Sequence, residues 1–185
     1  MSGQLNTKLK SETLLILLRV PEPSDAEALL QILNNPLNTE FDPHAGSGAL
    51  QLANVENIIT RMRSSAAMEV PDRVNLVIVD TSLDNKVVGL GGYGHIARNS
   101  DESIGDAGVM LQPEVRGKGY GVEAIKLALD YAFDGLKLNA VTLTMLKKNV
   151  AMCNLIDKKL KLQGIERESE FGTEKCYTVQ AEDWK

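Results

Sequence analysis

The segment from Val109 to Gly121 reads VMLQPEVRGKGYG and carries the strongest structural signal of this sequence. An apolar run typical of a strand leads through a proline turn to three glycines at alternate positions, Gly117, Gly119 and Gly121. Apolar residues at helical spacing follow from about Tyr120 to Phe133. Glycine lets backbone amides approach a ligand closely, and a helix N-terminus adds partial positive charge. The segment therefore predicts a strand, an anion-binding loop and a helix, and phosphate is the anion most often held in this way.

The residues that flank these glycines favour a binding site over a simple turn. Arg116 and Lys118 add two cationic side chains at the mouth of the loop. A P-loop is excluded, because Gly119 rather than Ser or Thr follows Gly117 and Lys118, so no hydroxyl is placed for Mg²⁺. A connection that merely turns the chain would not need three glycines and two flanking cations.

A second glycine cluster, from Gly89 to Gly94, matches the dinucleotide-binding pattern G-x-G-x-x-G. That pattern has meaning only where a helix follows the third glycine. Residues 95–100 are polar and turn-like and show no amphipathic helix pattern. We therefore interpret this cluster as a bulged or closely approached strand.

Length and composition predict one globular domain over residues 1–185, with residues 1–13 as a flexible N-terminal segment. The chain is 43% hydrophobic and 24% charged, which suits a protein with a buried core. A net charge of −5 and an aromatic content of 4% argue against a nucleic-acid partner. The apolar run at 14–18 is too short to span a bilayer, and residues 1–13 hold no signal-peptide core. We expect a soluble cytoplasmic protein, a monomer or a homodimer, with no membrane partner.

The two cysteines, Cys153 and Cys176, indicate neither a metal cluster nor a disulfide framework. Reduced thiols in or near the core are the favoured interpretation. We therefore predict no metal site.

Hydrophobic patterning predicts the element order β-α-α-β-β-β-α-β-α-β-β. Ser24 to Glu27 opens the first helix with a capping box, Asn149 caps the last helix, and Asn38 to Gly48 forms a loop. The predicted strands cover 14–20, 74–79, 86–94, 104–111, 140–146, 166–171 and 175–179, and the two other helices cover about 50–65 and 120–133. Strands flanked by helices in this order predict a mixed sheet with helices on its faces.

The stretch from Arg116 to Gly121 resembles the signature (Arg/Gln)-x-x-Gly-x-(Gly/Ala) of the GCN5-related N-acetyltransferase (GNAT) superfamily. The surrounding sequence is similar to the RimJ/RimL-like branch, which acetylates ribosomal proteins and N-terminal amines. Asp106 to Pro113 resembles the strand of that branch that ends in Asp-Pro, Gly119 to Ala124 its helix start, and Asn149 to Ala151 its Asn-x-x-Ser segment. The resemblance implies an α/β (α+β) protein of the acyl-CoA N-acyltransferase fold. Such a fold has a mixed, mostly antiparallel central sheet with helices on both faces.

The resemblance also implies acetyl-CoA as the cosubstrate. Amides of the loop would hold its pyrophosphate, and the edge of strand 109–111, splayed from strand 140–146, would pair with the pantetheine amides as a β-strand would. Asn149 would reach the cofactor from the next helix, in addition to or instead of acting as a plain N-cap. The cofactor-binding residues implied in this way are Met110, Leu111, Arg116, Gly117, Lys118, Gly119, Tyr120, Gly121 and Asn149.

The implied reaction is direct acetyl transfer to a primary amine of a peptide, a lysine or a small molecule. A carboxylate can remove the amine proton directly or through water, and Asp106 stands where the family often has Glu. Glu102 and His95 are weaker candidates, and a solvated charge is the alternative interpretation of Asp106. The backbone amide near Met110 would stabilise the oxyanion.

Two positions of the last helix depart from the family pattern. Ile156 stands where many relatives have Tyr, and Met152 where others have Ser, so no acid for the leaving thiolate is assigned. The usual Lys-Leu-Gly-Phe ending is replaced by KLKL over 159–162. These departures motivate an alternative function, a CoA-binding or regulatory protein with little or no turnover.

The acceptor side in relatives is formed by the loop at 38–48, the second helix and the turn at 99–102. Acidic residues in these segments would suit a cationic amine, whereas solvated surface charge is the alternative. The residues concerned are Glu40, Asp42, Asp101 and Glu102. Peptide N-terminus, lysine, polyamine and small metabolite all remain open as acceptors.

Overall fold

An eight-stranded sheet runs through the computed structural model, which describes residues 3–42 and 48–184. Its strands are β1 (Lys8–Lys10), β2 (Ile16–Arg19), β3 (Val74–Asp80), β4 (Lys86–Arg98), β5 (Ser103–Leu111), β6 (Ala140–Leu146), β7 (Ile165–Ser169) and β8 (Gly172–Gln180). The helices are α1 (Ala26–Asn34), α2 (Pro36–Thr39), α3 (Leu52–Ala66), α4 (Tyr120–Asp130) and α5 (Val150–Asn154). The strands lie in the order β1-β2-β3-β4-β5-β6-β8-β7.

All neighbouring strands are antiparallel except β5 and β6. The parallel ladder between β5 and β6 is short and joins only residues 104–106 to residues 140–142. Beyond that point β5 stays paired with β4 and β6 with β8, but they no longer pair with each other. A gap therefore opens between the C-terminal halves of β5 and β6. The prediction of a mixed, mostly antiparallel sheet is confirmed.

Alternation along β3 shows how the helices cover both faces of the sheet. Val74, Leu76 and Ile78 belong to a core that includes the apolar side of α4. Val77 and Val79 belong to a second core with residues of α1 and α3. The predicted helices on both faces are thus confirmed, and α4 lies opposite α1 and α3.

The N-terminal segment differs from the predicted flexible stretch. Residues 8–10 form β1, which pairs with β2, because Leu9 packs against the core while Lys8 and Lys10 stay exposed. Ser11 is also buried, and its hydroxyl donates a 2.5 Å hydrogen bond to Glu123 Oε1 on α4. Edge pairing and this contact with α4 hold the segment against the sheet.

Three local predictions are refined by the structure. The capping box forms between Glu22 and Asp25 rather than at Ser24, because a 3₁₀ turn at Pro23–Asp25 precedes α1. The glycine cluster at 89–94 lies within β4 with a bulge between Tyr93 and His95, as the strand interpretation predicted. The helices α4 and α5 each continue as a π-helical turn, at Tyr131–Gly135 and Leu155–Lys159.

The loop predicted at 38–48 is only partly described. The helix α2 occupies its start, and residues 43–47, which include His44, lie outside the described residues. Within the two described ranges, no helix combines the length and the apolar character needed to cross a membrane.

Candidate active site

The glycine loop has the predicted strand-loop-helix geometry. The strand β5 ends at Leu111, a 3₁₀ turn follows at Pro113–Val115, and α4 begins at Tyr120. Gly117 has a φ of +79° and Gly119, the N-cap of α4, a φ of +86°. Residues with a Cβ rarely adopt this left-handed conformation, so the backbone path itself requires glycine at both positions.

The loop leaves a run of backbone amides unpaired. In the described part of the chain, no acceptor bonds to the N–H groups of residues 117–122. A Cβ placed on Gly117 would meet nothing within 4 Å, so the space beside the loop is open. Unpaired amides at a helix N-terminus carry a partial positive charge and bind anions. The loop can therefore accept a phosphate or diphosphate group.

The Tyr120 side chain braces this loop and does not reach into it. Its hydroxyl donates a 2.7 Å hydrogen bond to Asp80 Oδ2, and both residues are buried. The other Asp80 oxygen accepts hydrogen bonds from the backbone and hydroxyl of Ser82. Burial acts to raise the pKa of Asp80, but the hydrogen bonds from Ser82 and Tyr120 hold it below its usual value. Only the main chain of Tyr120 can belong to the anion site.

Gly121 has a packing role. A Cβ at this position would lie 3.0 Å from Leu155 Cδ1 and 3.6 Å from Leu111 Cδ1. Its missing side chain lets α4 lie close to the last helix and to the end of β5.

The Arg116 side chain, predicted to add a cation at the mouth of the loop, has donors that already bond to oxygens of β5 and α2. Its Nε donates to Leu111 O at 3.1 Å, and its Nη2 donates to Leu37 O at 3.0 Å and to Asn38 Oδ1 at 2.6 Å. Lys118 is exposed and lies close enough to Asp80 to lower the pKa of that carboxyl. Lys118 is thus exposed beside the loop, whereas Arg116 links the loop to α2.

The strand edge that faces the gap can be identified from the pairing of β5 with β4. Gln112 N donates to Val88 O at 2.9 Å, and backbone groups of alternate residues in a strand point to the same side. The backbone of Met110 therefore points to β4, and the backbones of Val109 and Leu111 point to the gap. Val109 was not among the predicted cofactor residues, because sequence spacing does not reveal which side of a strand is paired.

Asp106 lies where the gap begins. It pairs with Thr142 at the last step of the parallel ladder and with His95 across the antiparallel ladder. Thr142 Oγ1 donates a 3.3 Å hydrogen bond to Asp106 Oδ1. Partial loss of hydration raises the pKa of the Asp106 carboxyl, opposed by the Thr142 hydrogen bond and the nearby His95. The carboxyl remains exposed, so a substrate can reach it.

The other acidic candidates do not gather around Asp106. Glu102 and Asp101 lie in the β4–β5 turn, closed by the hydrogen bond from Asn99 N to Glu102 O. Four residues of extended strand place Glu102 about 13 Å from Asp106. Glu40 and Asp42 are exposed beyond α2, at the opposite end of β5. The predicted acidic acceptor side is therefore divided between two ends of the sheet.

The side chain of Asn149 caps α5, as predicted, with Oδ1 accepting from Met152 N at 3.2 Å. It follows the end of β6, on the far side of the gap from the glycine loop. Ile156 is fully buried in the core, and Met152 packs against that core. Neither residue can donate a proton to a leaving group.

The two cysteines belong to no metal-binding group among the described residues. Cys153 is buried and Cys176 is half-buried, and both are free thiols. Across residues 3–42 and 48–184, no group of three or more His, Cys, Asp or Glu side chains is arranged to hold a metal ion.

Comparison of the sequence with known proteins assigns the chain to a family. The family model described as the acetyltransferase (GNAT) domain matches residues 16–159. Over 72 residues the chain is 32% identical to an N-acetyltransferase 9-like protein of Caenorhabditis briggsae. That match covers 38% of this chain and spans only 36% of the relative.

Comparison with solved structures agrees on the fold. A ribosomal-protein-S5-alanine acetyltransferase from Vibrio fischeri superposes with a TM-score of 0.78 at 17% identity, covering 97% of this chain and 100% of that one. A spermidine N-acetyltransferase from Vibrio cholerae, in complex with CoA and spermine, gives a TM-score of 0.72 at 17% identity, covering 92% and 98%. The family match, the splayed strands and the glycine loop agree, and the chain belongs to the acetyltransferase (GNAT) domain family.

Proposed function

We propose that this protein is an acetyl-CoA-dependent N-acetyltransferase that transfers the acetyl group directly to a primary amine. The observation that carries the proposal is the row of unpaired amides at residues 117–122, placed at the mouth of the gap between β5 and β6. A diphosphate bound by these amides would direct the attached pantetheine arm along the open edge of β5. That edge offers the backbone groups of Val109 and the N–H of Leu111 for β-like pairing, whereas Leu111 O accepts from Arg116 Nε.

The residues around the gap suit the chemistry of acyl transfer. The amine nitrogen attacks the thioester carbon, the C–S bond breaks, and the thiolate of CoA leaves. Asp106 takes the proton of the amine directly or through a water molecule. A backbone N–H on the open edge, that of Val109 or Leu111, stabilises the oxyanion that develops on the acetyl group. The thiolate takes its proton from water, because Ile156 and Met152 offer none.

The acceptor is proposed only as a primary amine. Two proteins of the same fold are named for very different acceptors, a ribosomal protein and spermidine. An α-amino group, with a pKa of about 8, is more often neutral at pH 7 than a lysine or polyamine with a pKa of about 10. Acetylation of a panel of peptides, lysine derivatives and polyamines is measured with the wild-type protein and with Asp106→Asn. The amine class whose acetylation depends on Asp106 is the acceptor class.

Calorimetric titration with CoA and acetyl-CoA tests the cofactor site. We expect binding by the wild-type protein and at least about a tenfold loss of affinity in Gly119→Val, because a side chain at this φ of +86° strains the loop backbone and its Cβ would lie 3.6 Å from Leu14 Cδ1, so the loop amides must shift. Gly172→Val is the matched control, since Gly172 also has a positive φ, +113°, but it begins β8, and a Cβ there would meet nothing within 4 Å. Absence of binding, or unchanged affinity in Gly119→Val, would reject the assignment.

A CoA-binding regulatory protein is the second candidate function. It is favoured by the apolar side chains at Ile156 and Met152, which remove the proton donors that relatives place there. A thiol-release assay against the amine panel separates the two functions. Turnover that is lost in Asp106→Asn while CoA still binds supports the enzyme, and binding without turnover on any amine supports the regulatory protein.

A further inference from the structure

A cluster of polar side chains joins the short helix α2 to the glycine loop. Gln112, at the end of β5, is buried, and its Oε1 accepts hydrogen bonds from Asn35 Nδ2 at 3.2 Å and Asn38 Nδ2 at 3.3 Å. Asn35 also caps α2 by accepting from Leu37 N. The helix α2 is therefore attached to β5 through side chains at its N-terminus and in its middle.

Arg116 completes this link from the loop itself. One guanidinium nitrogen, Nη2, reaches both the backbone oxygen of Leu37 and the side-chain oxygen of Asn38, while Nε holds Leu111 O. Arginine is suited to such a bridge because its donors are fixed in one plane. The same residue thus contacts the end of β5 and the helix α2, and its own backbone begins the glycine loop.

The residues of β5 show which face of the sheet this link reaches. Met110 packs in the core formed with α1 and α3, whereas Val109 and Leu111 pack on the α4 side. By strand alternation, Asp106 projects from the same face as Met110. The cluster of Gln112, Arg116 and Asn38 therefore connects the anion loop to the face on which Asp106 is exposed.

We propose that Gln112, Arg116 and Asn38 are positioning residues that place α2 for the amine acceptor in response to the cofactor loop. This inference rests on the proposed function. A helix of four residues cannot hold its conformation alone, so the position of α2 depends on these hydrogen bonds together with the one from Asn38 Nδ2 to Ile32 O of α1 at 2.9 Å. A diphosphate on the amides of 117–122 fixes the backbone next to Arg116, and the Arg116 side chain passes that constraint to Leu37 and Asn38.

Hydrogen exchange of the 185-residue chain, with and without CoA, tests the link. In the wild type we expect CoA to slow exchange both at 117–122 and at 37–40. In Asn38→Ala and in Arg116→Lys the protection of 37–40 by CoA should disappear, while that of 117–122 persists. Asn34→Ala is the matched control, because Asn34 makes two hydrogen bonds with Leu50 and none with the loop. In Asn34→Ala, CoA should still slow exchange at both 117–122 and 37–40.

Steady-state kinetics gives a second readout that a purely structural role would not produce. Asn38→Ala should raise KM for the amine about tenfold, the effect of one lost hydrogen bond, and leave KM for acetyl-CoA nearly unchanged. Protection of 117–122 without protection of 37–40 in the wild type would overturn the link and leave the cofactor site intact. Lack of protection at both segments would instead reject the proposed function and the link with it. If Asn38→Ala does not fold, Arg116→Lys alone carries the test, and Asn38→Asp, which keeps the acceptor for Arg116, should retain the protection of 37–40 by CoA.

Discussion

Thr142 Oγ1 donates a hydrogen bond to Asp106 Oδ1 at 3.3 Å, across the last pair of the parallel ladder between β5 and β6. One residue further, the two strands separate. The carboxyl of Asp106 is therefore held at the inner end of the gap, beside the edge that would pair with pantetheine. The short ladder thus fixes both the point where the gap begins and the position of the proposed base.

Asp106→Asn should lower kcat/KM for amine acetylation by about 100-fold or more, because the amide cannot accept the proton of the amine. The asparagine Oδ1 can still accept from Thr142, so the strands should stay in place and CoA should still bind. Steady-state kinetics combined with calorimetry checks both expectations. Asp101→Asn, in the β4–β5 turn, is the control and should keep its activity. Full activity in Asp106→Asn would remove Asp106 from the mechanism.

The same substitution should change stability in a pH-dependent way. Loss of hydration raises the pKa of Asp106 in the folded protein, so folding favours its protonated form. The stability that this group contributes is complete below its unfolded-state pKa and is lost as pH rises through its folded-state pKa. We therefore expect Asp106→Asn to have a higher Tm than the wild type at pH 7, and the difference to shrink at pH 3. Calorimetric scans at the two pH values measure it, and a lower Tm at pH 7 would contradict the expected sign.

Strong periodic patterns made most of the fold predictable from the sequence. Strand β6 was predicted with its observed bounds, because apolar and threonine residues alternate along it. The cap at Asn149 was also predicted, since its side chain bonds only to nearby backbone. The strand β1 was missed because three residues with one partly buried Leu9 give no pattern of their own. Its conformation depends on pairing with β2.

Within the candidate site, the backbone was easier to predict than the side chains. Glycine at 117 and 119 specifies the path of the loop through its own φ preference, which is a local property. The direction of Arg116 depends instead on Leu37 and Asn38, residues far away in the sequence. A long cationic side chain beside an anion site suggests a role in charge binding, but sequence cannot show that its donors are already in use.

Tyr120→Phe should destabilise the protein by about 1–3 kcal/mol, because it removes a hydrogen bond to the buried carboxylate of Asp80. Urea denaturation of the single variants and of Tyr120→Phe with Asp80→Asn completes a double-mutant cycle. We expect a coupling of at least about 0.5 kcal/mol, as for residues in direct contact. Additive effects would show that Tyr120 and Asp80 contribute independently.

Lys161→Gly should stabilise the protein by about 0.5–1 kcal/mol. Lys161 stands at the glycine of the family ending and has a φ of +57°, in the left-handed region that costs free energy for a residue with a Cβ. It follows the π-helical turn at Leu155–Lys159, and Leu162 N bonds back to Ile156 O, a span one residue longer than the 6→1 hydrogen bond of a Schellman motif. The gain from relieved strain exceeds the larger conformational entropy that glycine gives the unfolded chain.

The same prediction applies at the end of the π-helical turn Tyr131–Gly135. Lys137 has a φ of +55°, and Leu138 N bonds to Ala132 O in the same pattern, so Lys137→Gly should also stabilise. Lys159→Gly, inside the helical turn, is the matched control and should destabilise by about 0.5–1 kcal/mol, because glycine is a poor helix former. Urea denaturation midpoints of the three variants measure the effects. If Lys161→Gly and Lys137→Gly both destabilise the protein, the left-handed lysines are not strained, and the hydrogen bonds that close each helix determine its end.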